Sequence, residues 1–207
     1  DVIDLGYGNP DIPTHPIVVD KLIESARNKK NHKYSVSKGI VGLRNAMKDR
    51  YKRIYNVDLH EEENIVNTIG SKEGLTHLLM SVLDKGDNIV VQDPSYPIHH
   101  YAPLIAAGNT IKIKCLDANQ FLDDLIEILN TTKIKVVLIS FPHNPTTLTV
   151  TQEFYDTLVL LARSHNFLIV NDFAYSDVFF EGQRPPSLLY SDRELTNSVE
   201  LYSLTKG

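Results

Sequence analysis

Lys206 follows the run Leu201-Tyr202-Ser203-Leu204-Thr205, and an amine at the end of a strand can do covalent chemistry. Desolvated there, a lysine has a lowered pKa and becomes a nucleophile. Ser203 stands close enough along the chain to reach the same ligand. Asp172 ends the apolar run Phe167-Leu168-Ile169-Val170-Asn171, where a carboxylate is costly unless paired or hydrogen-bonded. Tyr175 follows it closely. Asn144 stands in Phe141-Pro142-His143-Asn144-Pro145-Thr146, which two prolines restrain, and offers an amide donor to a ligand oxygen. Tyr96, in Asp93-Pro94-Ser95-Tyr96-Pro97, can turn its ring to a flat ligand. Gly70-Ser71-Lys72-Glu73-Gly74 joins a strand to a helix, and the free N–H groups at such a helix start suit a phosphate. Each position also has a plainer reading. Ser71 can be an N-cap, Tyr96 can simply pack, Asn144 can sit in a strand-end turn, Asp172 can cap a turn, and Lys206 can be a solvated strand end.

These residues need elements to hold them. The apolar spacing predicts helices over 43–55, with a basic outer face, over 73–83 with Leu75, Leu78, Leu79 and Val82 on one side, and over 97–107 despite Pro103. Further helices are predicted over 121–129 and over 151–165, the last opened by Thr151 with Phe154, Leu158 and Leu161 inward. Strands are predicted over 65–69, 88–92, 110–116, 135–140, 167–171 and 200–204. The run 135–140 is of the continuously apolar, buried type. Such alternation argues for an α/β fold, a mostly parallel sheet flanked by helices. Ligands in such sheets lie at the carboxyl ends of the strands, which is where the candidate residues fall.

The chain has 207 residues, 42% of them hydrophobic and 23% charged, an ordinary globular composition. A formal net charge of −5 disfavours nucleic-acid binding through a basic surface. No apolar run approaches the ~18 residues of a membrane span, and the start Asp1-Val2-Ile3-Asp4 has no signal-peptide character. Cys115 is alone, so no internal disulfide framework forms, which fits a cytoplasmic protein. His99-His100 lacks the partners of a metal site, and Gly6-Tyr7-Gly8 lacks the third glycine of a dinucleotide fingerprint.

The order of the motifs carries a resemblance. Leu5-Gly6-Tyr7-Gly8-Asn9-Pro10-Asp11, Tyr34-Ser35-Val36-Ser37-Lys38-Gly39 with Gly42-Leu43-Arg44, Gly70-Ser71-Lys72-Glu73-Gly74, Pro94-Ser95-Tyr96-Pro97, Asn144-Pro145-Thr146, Asp172-Phe173-Ala174-Tyr175 and Ser203-Leu204-Thr205-Lys206 follow one another as in class I/II aminotransferases. The chain resembles the N-terminal half of these pyridoxal 5′-phosphate (PLP) enzymes, in the branch containing LL-diaminopimelate, alanine and aspartate aminotransferases. The resemblance implies an aminotransferase-like PLP-dependent transferase fold, with an N-terminal arm and small-domain portion over 1–40 and the PLP-binding large domain over 41–207. It implies that the rest of the large domain and a C-terminal small domain follow Gly207, with arginines for the substrate carboxylate and the cofactor phosphate.

The resemblance also implies roles. Lys206 forms the Schiff base with PLP and shuttles the proton, and Asp172 pairs with the ring nitrogen. Asn144 and Tyr175 bond the phenolic oxygen, and Tyr96 stacks on the ring. Ser71, Lys72 and Ser203 hold the phosphate, Tyr34 reaches the cofactor of a neighbouring subunit in a homodimer, and Gly8 lies beside the substrate carboxylate. The expected reaction exchanges an amino group between an amino acid and a 2-oxo acid. The alternatives on the same scaffold are a β-eliminating C–S lyase and, in a different class, a PLP-binding sensor domain of a transcription regulator.

Overall fold

The computed structural model describes residues 12–206. Helix α1 (Pro16–Arg27) is followed by a 3-10 turn, Lys29–Asn31, and by α2 (Val41–Tyr55) and α3 (Ser71–Val82). Strands and helices then alternate: β1 (Asn88–Asp93), α4 (Pro97–Ile105), β2 (Asn109–Lys114), α5 (Ala118–Leu129), β3 (Val136–Ile139), α6 (Gln152–His165) and β4 (Leu168–Phe173). The short α7 (Leu188–Ser191) leads into β5 (Ser198–Tyr202). Among the described residues all ladders are parallel and the strand order is β2-β1-β3-β4-β5.

The sheet is apolar on both faces because helices cover both. On one face Val90, Val137, Ile139 and Ile169 pack against Phe121 and Leu125 of α5 and Phe154, Tyr155 and Leu158 of α6. On the other, Ile89, Val91, Leu138 and Val170 meet Leu75 and Leu79 of α3 and Ala102 of α4. Every residue of β3 is buried, as its unbroken apolar run requires. The order reverses direction between β1 and β3, so the loops leaving their carboxyl ends diverge and open a crevice.

Several boundaries depart from the pattern in the sequence. Helix α5 starts at Ala118 rather than 121, because the Asp117 carboxylate caps it, accepting from the N–H groups of Asn119 and Gln120, both at 2.9 Å. Helix α4 runs past the buried Pro103 and stops at Ile105, two residues before Ala107 turns to φ +57°. Gly70, not Ser71, is the N-cap of α3; its φ of +83° is left-handed, and Ser71 is the first helical residue. Strand β5 ends at Tyr202, opposite Phe173, the last residue of β4, so the ladder runs out and Ser203–Lys206 form a turn beyond it.

The strand predicted over 65–69 does not form. The segment joins no ladder among the described residues, and a cleft of about 570 Å³ is lined by residues 65–68 together with residues 198–202 of β5. It is tied instead to the turn before α2, where the Asn67 N–H donates to the Lys38 carbonyl at 3.1 Å. Gly39 in that turn has φ +83°, and a Cβ there would run into the Asn67 side chain. Helix α1, absent from the sequence reading, opens with Pro16 in its first turn and buries none of its residues.

The turn before α2 depends on Arg44, which is 2% exposed. Its guanidinium donates to the carbonyls of Gly39 and Glu61 and to the Glu62 carboxylate. Arg44→Ala leaves two carbonyls and a carboxylate without their donor. We expect it to cost about 2–3 kcal/mol, the scale for removing hydrogen bonds to a buried charged group, read as a lower urea midpoint with an unchanged slope. An unshifted midpoint would refute this role.

Candidate active site

Because the sheet is parallel, the carboxyl ends of β1, β3, β4 and β5 share one edge. The first turn of α3 lies at the same edge, since that helix runs back toward the start of β1. Asp172, Asn144, Tyr175, Tyr96, Ser71, Lys72, Ser203 and Lys206 lie at that edge.

Asp172 is 7% exposed, on the face of β4 covered by α3 and α4. Its Oδ2 faces the Nε2 of His99 at 2.9 Å, and the Nδ1 of His99 lies 2.7 Å from the Ser95 hydroxyl. Its Oδ1 is buried and has no hydrogen-bond partner among the described residues. A buried carboxylate oxygen without a donor is costly, so this atom calls for one from a ligand. A protonated ring nitrogen, as PLP carries, fits that requirement. His99, on the inner side of α4, was weighed in the sequence only as a metal ligand and given no role at this site. Its pairing joins α4 to β4 across residues far apart in the chain, and the only sequence signal is its place one helical turn after Ser95.

Just past the end of β3, the Ser140 N–H donates to Gln92 Oε1 at 2.7 Å and its hydroxyl donates to the Asp172 carbonyl at 2.9 Å. The Phe141 N–H donates to Asn171 Oδ1 at 3.2 Å. These bonds hold the segment that carries Asn144, whose Nδ2 lies 3.3 Å from the Tyr175 hydroxyl. His143, beside it, is 3% exposed, and burial, with His99 nearby, pushes its pKa down to about 4, so the imidazole is neutral at physiological pH. The Lys206 ammonium lies 5.9 Å from the centroid of the Tyr175 ring.

At the starts of α3 and α4, the Lys72 ammonium lies 5.2 Å from the centroid of the Tyr96 ring, and the Tyr96 hydroxyl raises its pKa. The N-cap of α3 supplies no side-chain acceptor, so its first N–H groups, those of Ser71 and Lys72, remain available to an anion. The Ser203 hydroxyl accepts from the Thr205 N–H at 3.2 Å and shapes the turn that carries Lys206. Tyr34 stands apart from this cluster, fully exposed. Gly8 lies outside the described residues.

The chain is similar to known proteins along its whole length. The model of the family "Aminotransferase class I and II" matches residues 1–207. The chain belongs to this aminotransferase family. PLP is the cofactor typical of it. The chain is 38% identical over 208 residues to an LL-diaminopimelate aminotransferase of Moorella thermoacetica, covering 100% of this chain and 53% of that protein. It is 38% identical over 209 residues to the glutamate-pyruvate aminotransferase AlaC of Escherichia coli, covering 100% of this chain and 51% of that one. The substrate-bound BacF structure from Bacillus subtilis superposes with a TM-score of 0.90 at 32% identity, over 100% of this chain and 53% of that one. The chain therefore spans about half the length of the aminotransferases it matches. Among the described residues no helix is long and apolar enough to cross a membrane, and no group of His, Cys, Asp and Glu could hold a metal ion.

Proposed function

We propose that the protein is a PLP-dependent aminotransferase that moves an amino group between an amino acid and a 2-oxo acid. The observation that carries this reading is the buried Oδ1 of Asp172, unpartnered among the described residues and braced through Oδ2 by His99, on the sheet edge where Asn144 meets Tyr175 and Lys206 lies over the Tyr175 ring. Bound PLP supplies an electron sink for the negative charge that develops on the substrate Cα. Asp172 keeps a ring nitrogen beside it protonated, since a carboxylate favours the charged form of such a neighbour. His99 and Ser95 fix the orientation of that carboxylate in advance.

Asn144 and Tyr175 direct donors at the phenolic oxygen and stabilise its anionic form. Tyr96 covers one side of the crevice. The N–H groups of Ser71 and Lys72, with the Ser203 hydroxyl, hold the phosphate by fixed dipoles. Lys206 would hold the cofactor through its Nζ and, as a free amine, would carry a proton from the substrate Cα at that same atom.

The names of the similar proteins, an LL-diaminopimelate aminotransferase and a glutamate-pyruvate aminotransferase, support amino-acid donors of that kind. The same reading extends to a homodimer in which Tyr34, fully exposed here, reaches a neighbour's site; a fully active monomer in sedimentation would refute that part. The main test supplies the whole protein with PLP and a panel of amino donors and 2-oxo acids. Stoichiometric exchange of donor for oxo acid is expected. Release of ammonia and pyruvate from a thioether amino acid without such exchange would instead establish a β-eliminating lyase.

A further inference from the structure

Glu200 lies in the middle of β5, on the opposite face of the sheet from Asp172, and the proposed reaction makes no use of it. Four donors converge on its carboxylate. Oε2 accepts from the Ser187 hydroxyl at 2.8 Å and the Tyr51 hydroxyl at 3.0 Å. Oε1 accepts from the Leu188 N–H at 2.7 Å and from Asn171 Nδ2 at 3.4 Å. Among the described residues no cation lies within ion-pair distance of it.

The bond to Asn171 has a consequence across the sheet. Asn171 is fully buried and stands opposite Glu200 in the β4–β5 ladder. An amide has one donating and one accepting end, so what faces one end determines what the other can do. With its NH2 group directed at Glu200 and at the Tyr155 hydroxyl, 3.2 Å away, Asn171 must turn Oδ1 to the Phe141 N–H. The reversed amide would set a donor against that N–H. Phe141 begins the segment that carries Asn144. Asn171 also immediately precedes Asp172.

We propose that Glu200 is a positioning residue for the cofactor site, acting through the Asn171 amide to hold Phe141 and, beyond it, the segment bearing Asn144. This rests on the PLP reading of the site. Burial pushes the Glu200 carboxyl up to about 7, against the pull of its donors. The titratable groups that face it are Tyr51 and Tyr55 of α2 and Tyr155 of α6, all with raised pKa values and therefore neutral near that pH. Glutamine matches the protonated acid in shape. Its carbonyl can accept from Leu188 and Asn171, and its NH2 can donate to the Ser187 and Tyr51 oxygens. The relay therefore depends on an acceptor at this place rather than on charge.

The test compares Glu200→Leu and Glu200→Gln in the whole protein. One readout is the hydrogen exchange of the Phe141 amide without cofactor, measured relative to the amides of β3. The other is the pH midpoint of the visible band after adding PLP. In Glu200→Leu the Phe141 amide is expected to exchange about tenfold faster or more, and the midpoint to rise by about one pH unit as the Asn144 donor loosens. In Glu200→Gln both are expected to stay near the wild-type values.

Equal losses in the glutamine variant would overturn the hydrogen-bond relay. A folded Glu200→Leu protein with unmoved Phe141 exchange and an unmoved midpoint would overturn the Glu200 assignment alone. A wild-type protein that takes up no PLP would overturn the cofactor reading and the proposed role together. If Glu200→Leu fails to fold, Asn171→Ala probes the same link, and unchanged Phe141 exchange there would also overturn it.

Discussion

Replacing Lys206 with alanine is expected to abolish turnover and to leave no cofactor fixed to the chain by borohydride. Lys206 ends the turn that Ser203 shapes after β5, with its ammonium 5.9 Å from the Tyr175 ring centroid. As the proposed anchor and proton carrier, it combines two contributions that one substitution removes. Positioned proton transfer alone accounts for about 10²–10⁴-fold in rate, and loss of the covalent hold adds to that. Borohydride reduction of the wild-type protein with PLP, followed by peptide mapping, should place the pyridoxyl group on Lys206. Finding it on Lys72, whose ammonium faces Tyr96 in the same crevice, would reassign the anchor. Turnover in Lys206→Ala within tenfold of wild type would refute the role outright.

Asp172→Ala is expected to lower turnover by about a hundredfold or more while PLP still binds. That is the scale for losing one preorganised electrostatic contact in a water-poor site. The phosphate and phenolic-oxygen contacts do not involve Asp172, so binding should survive at reduced affinity. Asp172→Asn keeps the shape but offers an uncharged oxygen or an NH2 group to the ring nitrogen, and it should be nearly as slow. It also gives His99 a neutral partner in place of the carboxylate it now faces at 2.9 Å. Turnover close to wild type in a correctly folded Asp172→Ala protein would exclude the carboxylate from the reaction. Slow turnover in Asp172→Ala with normal turnover in Asp172→Asn would show that charge at this atom is dispensable.

Much of the architecture was legible in the chain because burial on both faces leaves a signature. Val136-Val137-Leu138-Ile139 has no polar residue to offer solvent, and it forms the strand between β1 and β4. Leu75 and Leu79 recur at helical spacing and pack under the sheet. The placement of Asp172, Asn144, Tyr175 and Lys206 was also legible, since polar residues that close apolar runs in a parallel sheet fall at one edge. Element ends were less so. The start of α5 depended on the Asp117 cap, and the end of β5 depended on where its neighbour β4 stops.

By itself, then, the sequence determined the parallel α/β class, the helices that cover the sheet and the edge at which the chemical side chains collect. These follow from the local spacing of apolar residues and from the polar residues that interrupt it. The tertiary structure alone decided which polar groups pair. His99 braces Asp172, Asn171 is oriented by Glu200, and Arg44 ties the turn before α2 to the segment after it. It also decided that 65–69 stays out of the sheet, because a strand exists only where another backbone lies beside it, and here a cleft does. The reason is the same in each case. A hydrogen bond between residues distant in the chain depends on which backbones pack side by side, and no pattern within either segment encodes its partner.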